Sequence, residues 1–65
     1  MRADRKKLEL AMSRACMNAE DLRKVADMPR PTLNNVITGR QVRTGTFGKV
    51  ARALGVDVTE ILLEE

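Results

Sequence analysis

The hydrophobic spacing of this 65-residue chain divides it into five short amphipathic segments. Leu8, Ala11, Met12 and Ala15 fall at i, i+3, i+4 and i+7, one face of a helix, and predict a first helix from about Asp4, a candidate N-cap, to Cys16. A second begins after Asn18, a good N-cap, with Glu20 and Asp21 in the first turn where the helix dipole favours acids. Leu22, Val25 and Ala26 form its expected inner face, and Asp27 breaks it.

The third segment, PRPTLNNVITG over residues 29–39, is short but firmly delimited. Arg30 precedes a proline and is biased away from the α region. Pro31 suits the first helical position, where its missing N–H costs nothing, so the helix is predicted to begin at Pro31. Leu33, Val36 and Ile37 face inward. Pro31, Asn35 and Thr38 point the other way, with Thr32 and Asn34 on the flanks. Gly39 ends the helix with a residue able to take positive φ. After a basic loop, RQVRT (40–44), a fourth helix capped by Thr44 or Thr46 carries Phe47, Val50, Ala51 and Leu54 on one face and stops at Gly55. Asp57 and Glu60 form a D-x-x-E capping box for a fifth helix to about Leu63, with Val58, Ile61 and Leu62 inside. No strand pattern or internal repeat is present, and the connections are short enough for one compact all-α domain, 1–65.

Composition narrows the function classes. A chain this short buries only about 60% of its extended surface, and a single cysteine excludes an intramolecular disulfide. Cys16 is expected to be a small buried hydrophobe in a reduced, cytoplasmic setting. No apolar run approaches the ~20 residues of a membrane span, and the run from Leu8 to Met12, interrupted by Glu9, is too short for a signal peptide. Histidine is absent, so no His-based acid–base dyad or metal cluster can be assembled, and neither enzymatic activity nor a cofactor is expected. Phe47 is the only aromatic residue, which argues against a stacking platform for single-stranded nucleic acid.

The net charge of +3 is unevenly placed. Residues 28–52 hold Arg30, Arg40, Arg43, Lys49 and Arg52 and no acid, whereas residues 53–65 hold four acids and no base. The basic stretch, centred on the third segment, fits a phosphate footprint; on composition alone, a solvated surface fits equally. Asparagine is a poor mid-helix residue, so Asn34 and Asn35 side by side call for a reason. One reason is solvation of an outer face near a C-cap. The other is base recognition, since an Asn amide pairs with adenine N6 and N7.

In order, these features resemble the helix-turn-helix family of phage repressors and Cro proteins, the xenobiotic-response-element type. The resemblance rests on MNAEDL (17–22), PTLNNVITGR (31–40) and ARALGVDVTEIL (51–62), and with the first helix it covers nearly the whole chain. It implies a compact five-helix, lambda-repressor-like fold in which helices 2 and 3 form the helix-turn-helix and the third helix enters the major groove of double-stranded DNA. Carried over position by position, it implies base contacts from Arg30, Pro31, Thr32, Asn34 and Asn35, with Pro31 contributing shape only. Backbone contacts fall on Asn18, Ala19, Arg40 and Arg43.

Three positions depart from the family pattern. Asp27 stands where the turn usually has Gly, and is expected to take the left-handed conformation at modest cost. Arg23 replaces a small residue, and is expected to lay its stem along the helix interface and send its head to solvent. Met12 and Ile37 stand where many relatives keep a buried Arg–Glu pair, and are expected to share one apolar cluster.

The function so implied is a sequence-specific transcriptional regulator, a repressor or small control protein, with no room for an effector domain. One domain reads only a short half-site, so a homodimer on a pseudo-palindrome is expected. Leu63 is apolar but off the inner face of the last helix, as Leu10 is on the first; a contact between copies through the last helix and its loop is expected, although scattered exposed leucines are ordinary. The alternative is an antitoxin-like module that neutralises a partner protein, meeting it through the acidic end (Asp57, Glu60, Glu64, Glu65), and binds DNA secondarily.

Overall fold

The first apolar stripe forms α1 (Arg5–Arg14) in the computed structural model, which describes residues 1–64. Asp4 is extended and caps the helix, its carboxylate accepting from the amides of Lys6 at 3.0 Å and Lys7 at 3.1 Å. Three more α-helices follow: α2 (Ala19–Ala26), α3 (Arg30–Ile37) and α4 (Thr44–Leu54). Leu8 and Ala11 from α1, Leu22 and Ala26 from α2, Leu33 and Val36 from α3, and Phe47, Val50, Ala51 and Leu54 from α4 meet in one core, closed by Ala3, Met28 and Ile61. The stripes read from the sequence therefore converge, with one exception. Val25, expected inside, is 57% exposed. An eight-residue helix has a narrow buried stripe, and Leu22 and Ala26 already fill it.

All four helices stop by one device. At each C-terminus a residue with positive φ places the next amide on the carbonyl five residues back: Met17 on Met12, Met28 on Arg23, Arg40 on Asn35 and Val56 on Ala51, at 2.9–3.3 Å. This is the hydrogen-bond pattern of a Schellman motif. Gly39 (φ 80) and Gly55 (φ 70) suit it without strain. Asp27 (φ 53) adopts it in place of glycine, as expected. Cys16 (φ 56) was expected to end α1 as a buried apolar residue; it is instead the left-handed residue beyond a helix that ends at Arg14, and its side chain is exposed. Reversing the chain turns Cys16 outward, and Met12 and Ala15 pack against the core without it.

Two helix starts also differ from expectation. The start expected at Pro31 comes one residue earlier, at Arg30. Pro29 is extended (φ −62, ψ 148) and its carbonyl accepts the first helical bond from the Leu33 amide at 3.2 Å. Pro31 then stands second, where an N–H has no intrahelical acceptor either, so nothing is lost. For α4 the N-cap is Arg43, not Thr44 or Thr46, and no side chain caps it.

The largest difference lies at the end of the chain. The capping box of Asp57 and Glu60 forms, but it opens a single 3-10 turn (Val58–Glu60) and not a fifth helix to Leu63. The chain then runs extended beside its own beginning. The Asp4 amide donates to the Ile61 carbonyl at 2.8 Å and the Leu63 amide to the Arg2 carbonyl at 2.9 Å, and Ala3 and Leu62 form an isolated antiparallel bridge. Pairing with residues 2–4 satisfies backbone groups that another helical turn would have satisfied, and it still buries Ile61. The fold is thus four α-helices and a 3-10 turn among the described residues, not five helices.

Candidate nucleic-acid interface

Burying Leu33 and Val36 forces the opposite face of α3 outward, with Ile37 half-buried between them. Pro31, Asn34 and Thr38 are exposed; Thr32 and Asn35 are half-buried. The Thr38 hydroxyl donates back to the Asn34 carbonyl at 2.8 Å, so it tightens the last turn.

The flanks of α3 border two different concavities. Arg30, Leu33, Asn34 and Ile37 form one wall of a groove whose other wall is Ala19, Glu20 and Arg23 of α2. Thr32 and Asn35 border a second, shallow concavity of mixed character with Met1, Gln41, Val42, Arg43, Thr44 and Thr46. The structure therefore brings Arg30 with Asn34, and Thr32 with Asn35, onto opposite sides of one exposed ridge. Arg40 and Arg43 are both exposed beyond that ridge. Gln41, Thr44 and Thr46, passed over as site residues in the sequence, belong to this second concavity. The two threonines read as caps and Gln41 as loop; their position depends on how α4 packs, which local pattern does not encode. The first amides of α4, like those of any helix, have no intrahelical acceptor, and since no side chain caps them they remain available to an anion.

The start of α2 is more occupied than the sequence implied. Asn18 and Asp21 form a reciprocal capping box, with the Asp21 amide on the Asn18 side chain at 2.8 Å and the Asn18 amide on the Asp21 carboxylate at 3.2 Å. The backbone N–H of Asn18 is thus engaged, leaving its side-chain NH2 and the amides of Ala19 and Glu20 as the donors at this end.

Arg23 was expected to send its head to free solvent. It is half-buried, and its head instead chelates Glu20 through Nη2 at 2.6 Å and Nε at 3.1 Å. The other Glu20 oxygen accepts from Arg30 Nη2 at 2.9 Å. The Arg23 hydrogen bond, and beyond it the positive charges of Arg23 and Arg30, hold the Glu20 carboxyl below its ordinary pKa, and Glu20 raises that of Arg23. Sequence alone assigned Glu20 only to the helix dipole.

Behind α3, Met12 and Ile37 are each half-buried, pack against the core and line one small concavity with Leu8 and Ala19, at whose rim Arg5 and Glu9 also stand. The expected apolar replacement for the relatives' ion pair is therefore present. Among the described residues no three His, Cys, Asp or Glu side chains cluster as metal ligands, and no helix is long and apolar enough to cross a membrane.

Against known protein families, residues 7–63 match the sequence model of the Cro/C1-type HTH DNA-binding domain. No curated protein and no solved structure matches the chain significantly.

Proposed function

The chain belongs to the Cro/C1-type helix-turn-helix DNA-binding domain family, and from that premise we propose that it is a sequence-specific regulator of transcription, acting as a repressor or small control protein, with α3 as its recognition helix in the major groove. The observation that carries this reading is the ridge of α3. Its outer face is polar, it lies between two groups of backbone donors at the starts of α2 and α4, and it sits in a stretch of chain without acids. Phosphate contacts from both sides would fix the ridge in the groove, and base edges would then be read by the ridge itself.

In this reading Asn34 and Asn35 pair with adenine and Arg30 with guanine, each worth about 1–3 kcal/mol of discrimination. Thr32 makes a weaker base contact from the flank. The Asn18 side chain and the Ala19 amide hold one phosphate; Arg40, Arg43 and the uncapped start of α4 hold others. Two copies bind a pseudo-palindrome, since one ridge spans too few base pairs for useful specificity.

The test is binding-site selection from random duplex DNA at several salt concentrations. A defined enriched sequence is expected, with preference at one position lost in Asn34→Ala or Asn35→Ala. Binding that depends on salt but enriches no sequence would reduce the protein to a generic backbone binder.

A further inference from the structure

We propose that Glu20 is a positioning residue for base recognition: anchored by Arg23, it holds the Arg30 guanidinium in one place at the edge of α3 and masks one positive charge against sequence-independent binding. The inference rests on the reading of α3 as a recognition helix.

The geometry is a relay across the groove between α2 and α3. Arg23 grips one carboxylate oxygen with two donors, at 2.6 and 3.1 Å, which leaves the other oxygen directed to Arg30 at 2.9 Å. The Arg23 side chain is 32% exposed and that of Glu20 41%, so the anchor is partly sheltered, whereas that of Arg30 is 77% exposed. An arginine that exposed, standing at the first position of a helix, would otherwise sample many rotamers and lose them on binding. Held by one hydrogen bond, Arg30 keeps four of its five N–H donors for DNA, enough for the two-point contact to guanine O6 and N7. The relay also gives a purpose to Arg23, whose bulk stands where relatives carry a small residue. The carboxylate itself is an unusual group to place beside backbone amides meant for phosphate. Neutralised by two arginines it repels little; within the trio the net charge is +1 and not +2.

Two variants separate positioning from charge. Glu20→Gln removes the charge and weakens both contacts. Glu20→Asp keeps the charge but is one methylene too short to span both arginines. Selection and fluorescence anisotropy are run on the intact protein, on Glu20→Gln, Glu20→Asp and Arg30→Ala, with circular dichroism melts to verify folding. For the unaltered protein, discrimination of about tenfold is expected at the base pair read by Arg30. It should vanish in Arg30→Ala and fall to about threefold in both Glu20 variants. Glu20→Gln alone should bind random duplex more tightly, with a salt slope steeper by about one unit. The inference is overturned if Arg30→Ala abolishes the preference while both Glu20 variants retain it, or if Arg30→Ala leaves every preference intact. The reading of α3 fails separately, and takes the inference with it, if the unaltered protein enriches no sequence.

Discussion

Replacing Ile37 with glutamate tests whether Met12 and Ile37 share one apolar cluster where relatives keep an ion pair. Both side chains are half-buried and line one concavity with Leu8 and Ala19. Full burial of an isoleucine is worth about 1.5–3 kcal/mol, so losing this partial burial costs about 1 kcal/mol. Setting a carboxylate against Met12 and Leu8 adds about 1–2 kcal/mol of desolvation where Arg5 does not reach it. The expected total, about 2–3 kcal/mol, is a large share of the roughly 3–10 kcal/mol available to a domain of this size. Met12→Arg should cost less, about 1 kcal/mol, because the stem can stay packed while the head reaches water. The double variant restores the pair, and a coupling of about 1–2 kcal/mol in its favour is expected for residues in contact. Urea titration followed by far-UV circular dichroism reads this directly, since an m-value of about 1 kcal/mol/M converts the Ile37→Glu loss to a midpoint shift of about 2–3 M. Arg5 and Glu9 also line this space, so the cycle is repeated in an Arg5→Ala background to remove the other cation. A single-variant cost below about 0.5 kcal/mol, with coupling inside the additivity error of about 0.3–0.5 kcal/mol, would refute the shared cluster.

Asp27→Gly and Cys16→Gly each relieve a side chain held at positive φ and should each raise stability by about 0.5–1 kcal/mol in denaturant titration; a loss at either site would mean that its side chain makes contacts the backbone account ignores. Gly48→Ala should add about 0.5–1 kcal/mol, since a methyl group there meets nothing within 4 Å, and should leave DNA affinity unchanged in anisotropy titrations. The Asp57 carboxyl is held below its ordinary pKa first by the Thr59 amide, at 2.9 Å, and then by the Thr59 hydroxyl, at 2.7 Å. Its folded pKa lies below the unfolded one, so its contribution is complete above the unfolded value and is lost as pH falls through the folded one. Thermal melts should therefore find the protein more stable than Asp57→Asn at neutral pH, with the two converging in acid.

The helical stripes were legible because each is a local period: Leu8 with Ala11, Leu33 with Val36, and Phe47 with Val50, Ala51 and Leu54 all bury where their spacing places them. Three helix ends were legible too, since Gly39, Gly55 and Asp27 announce a left-handed residue chemically. The same logic could not find Cys16, a residue type with no turn preference that occupies the same conformation because Met17 must reach the Met12 carbonyl. Nor could it find the end of the chain. The Asp57–Glu60 capping box is a true helix-start signal, but residues 2–4 offer the last segment backbone partners that lie far away in sequence.

The candidate site divides in the same way. The sequence by itself determined that Leu33 and Val36 bury and that Pro31 and Thr38 face out, but Asn35, expected opposite the core, is half-buried and Asn34, expected on the flank, is exposed. The sequence also determined the acid-free charge of residues 28–52. Only the tertiary structure decided what those residues stand beside. The packing of α2 and α4 on either flank of α3 sets Arg30 against Glu20, ten residues away, and places Thr32 and Asn35 beside Thr44 and Thr46. A helical period fixes the direction of a side chain. Its neighbours across a groove depend on how whole helices pack, and that is settled by the core.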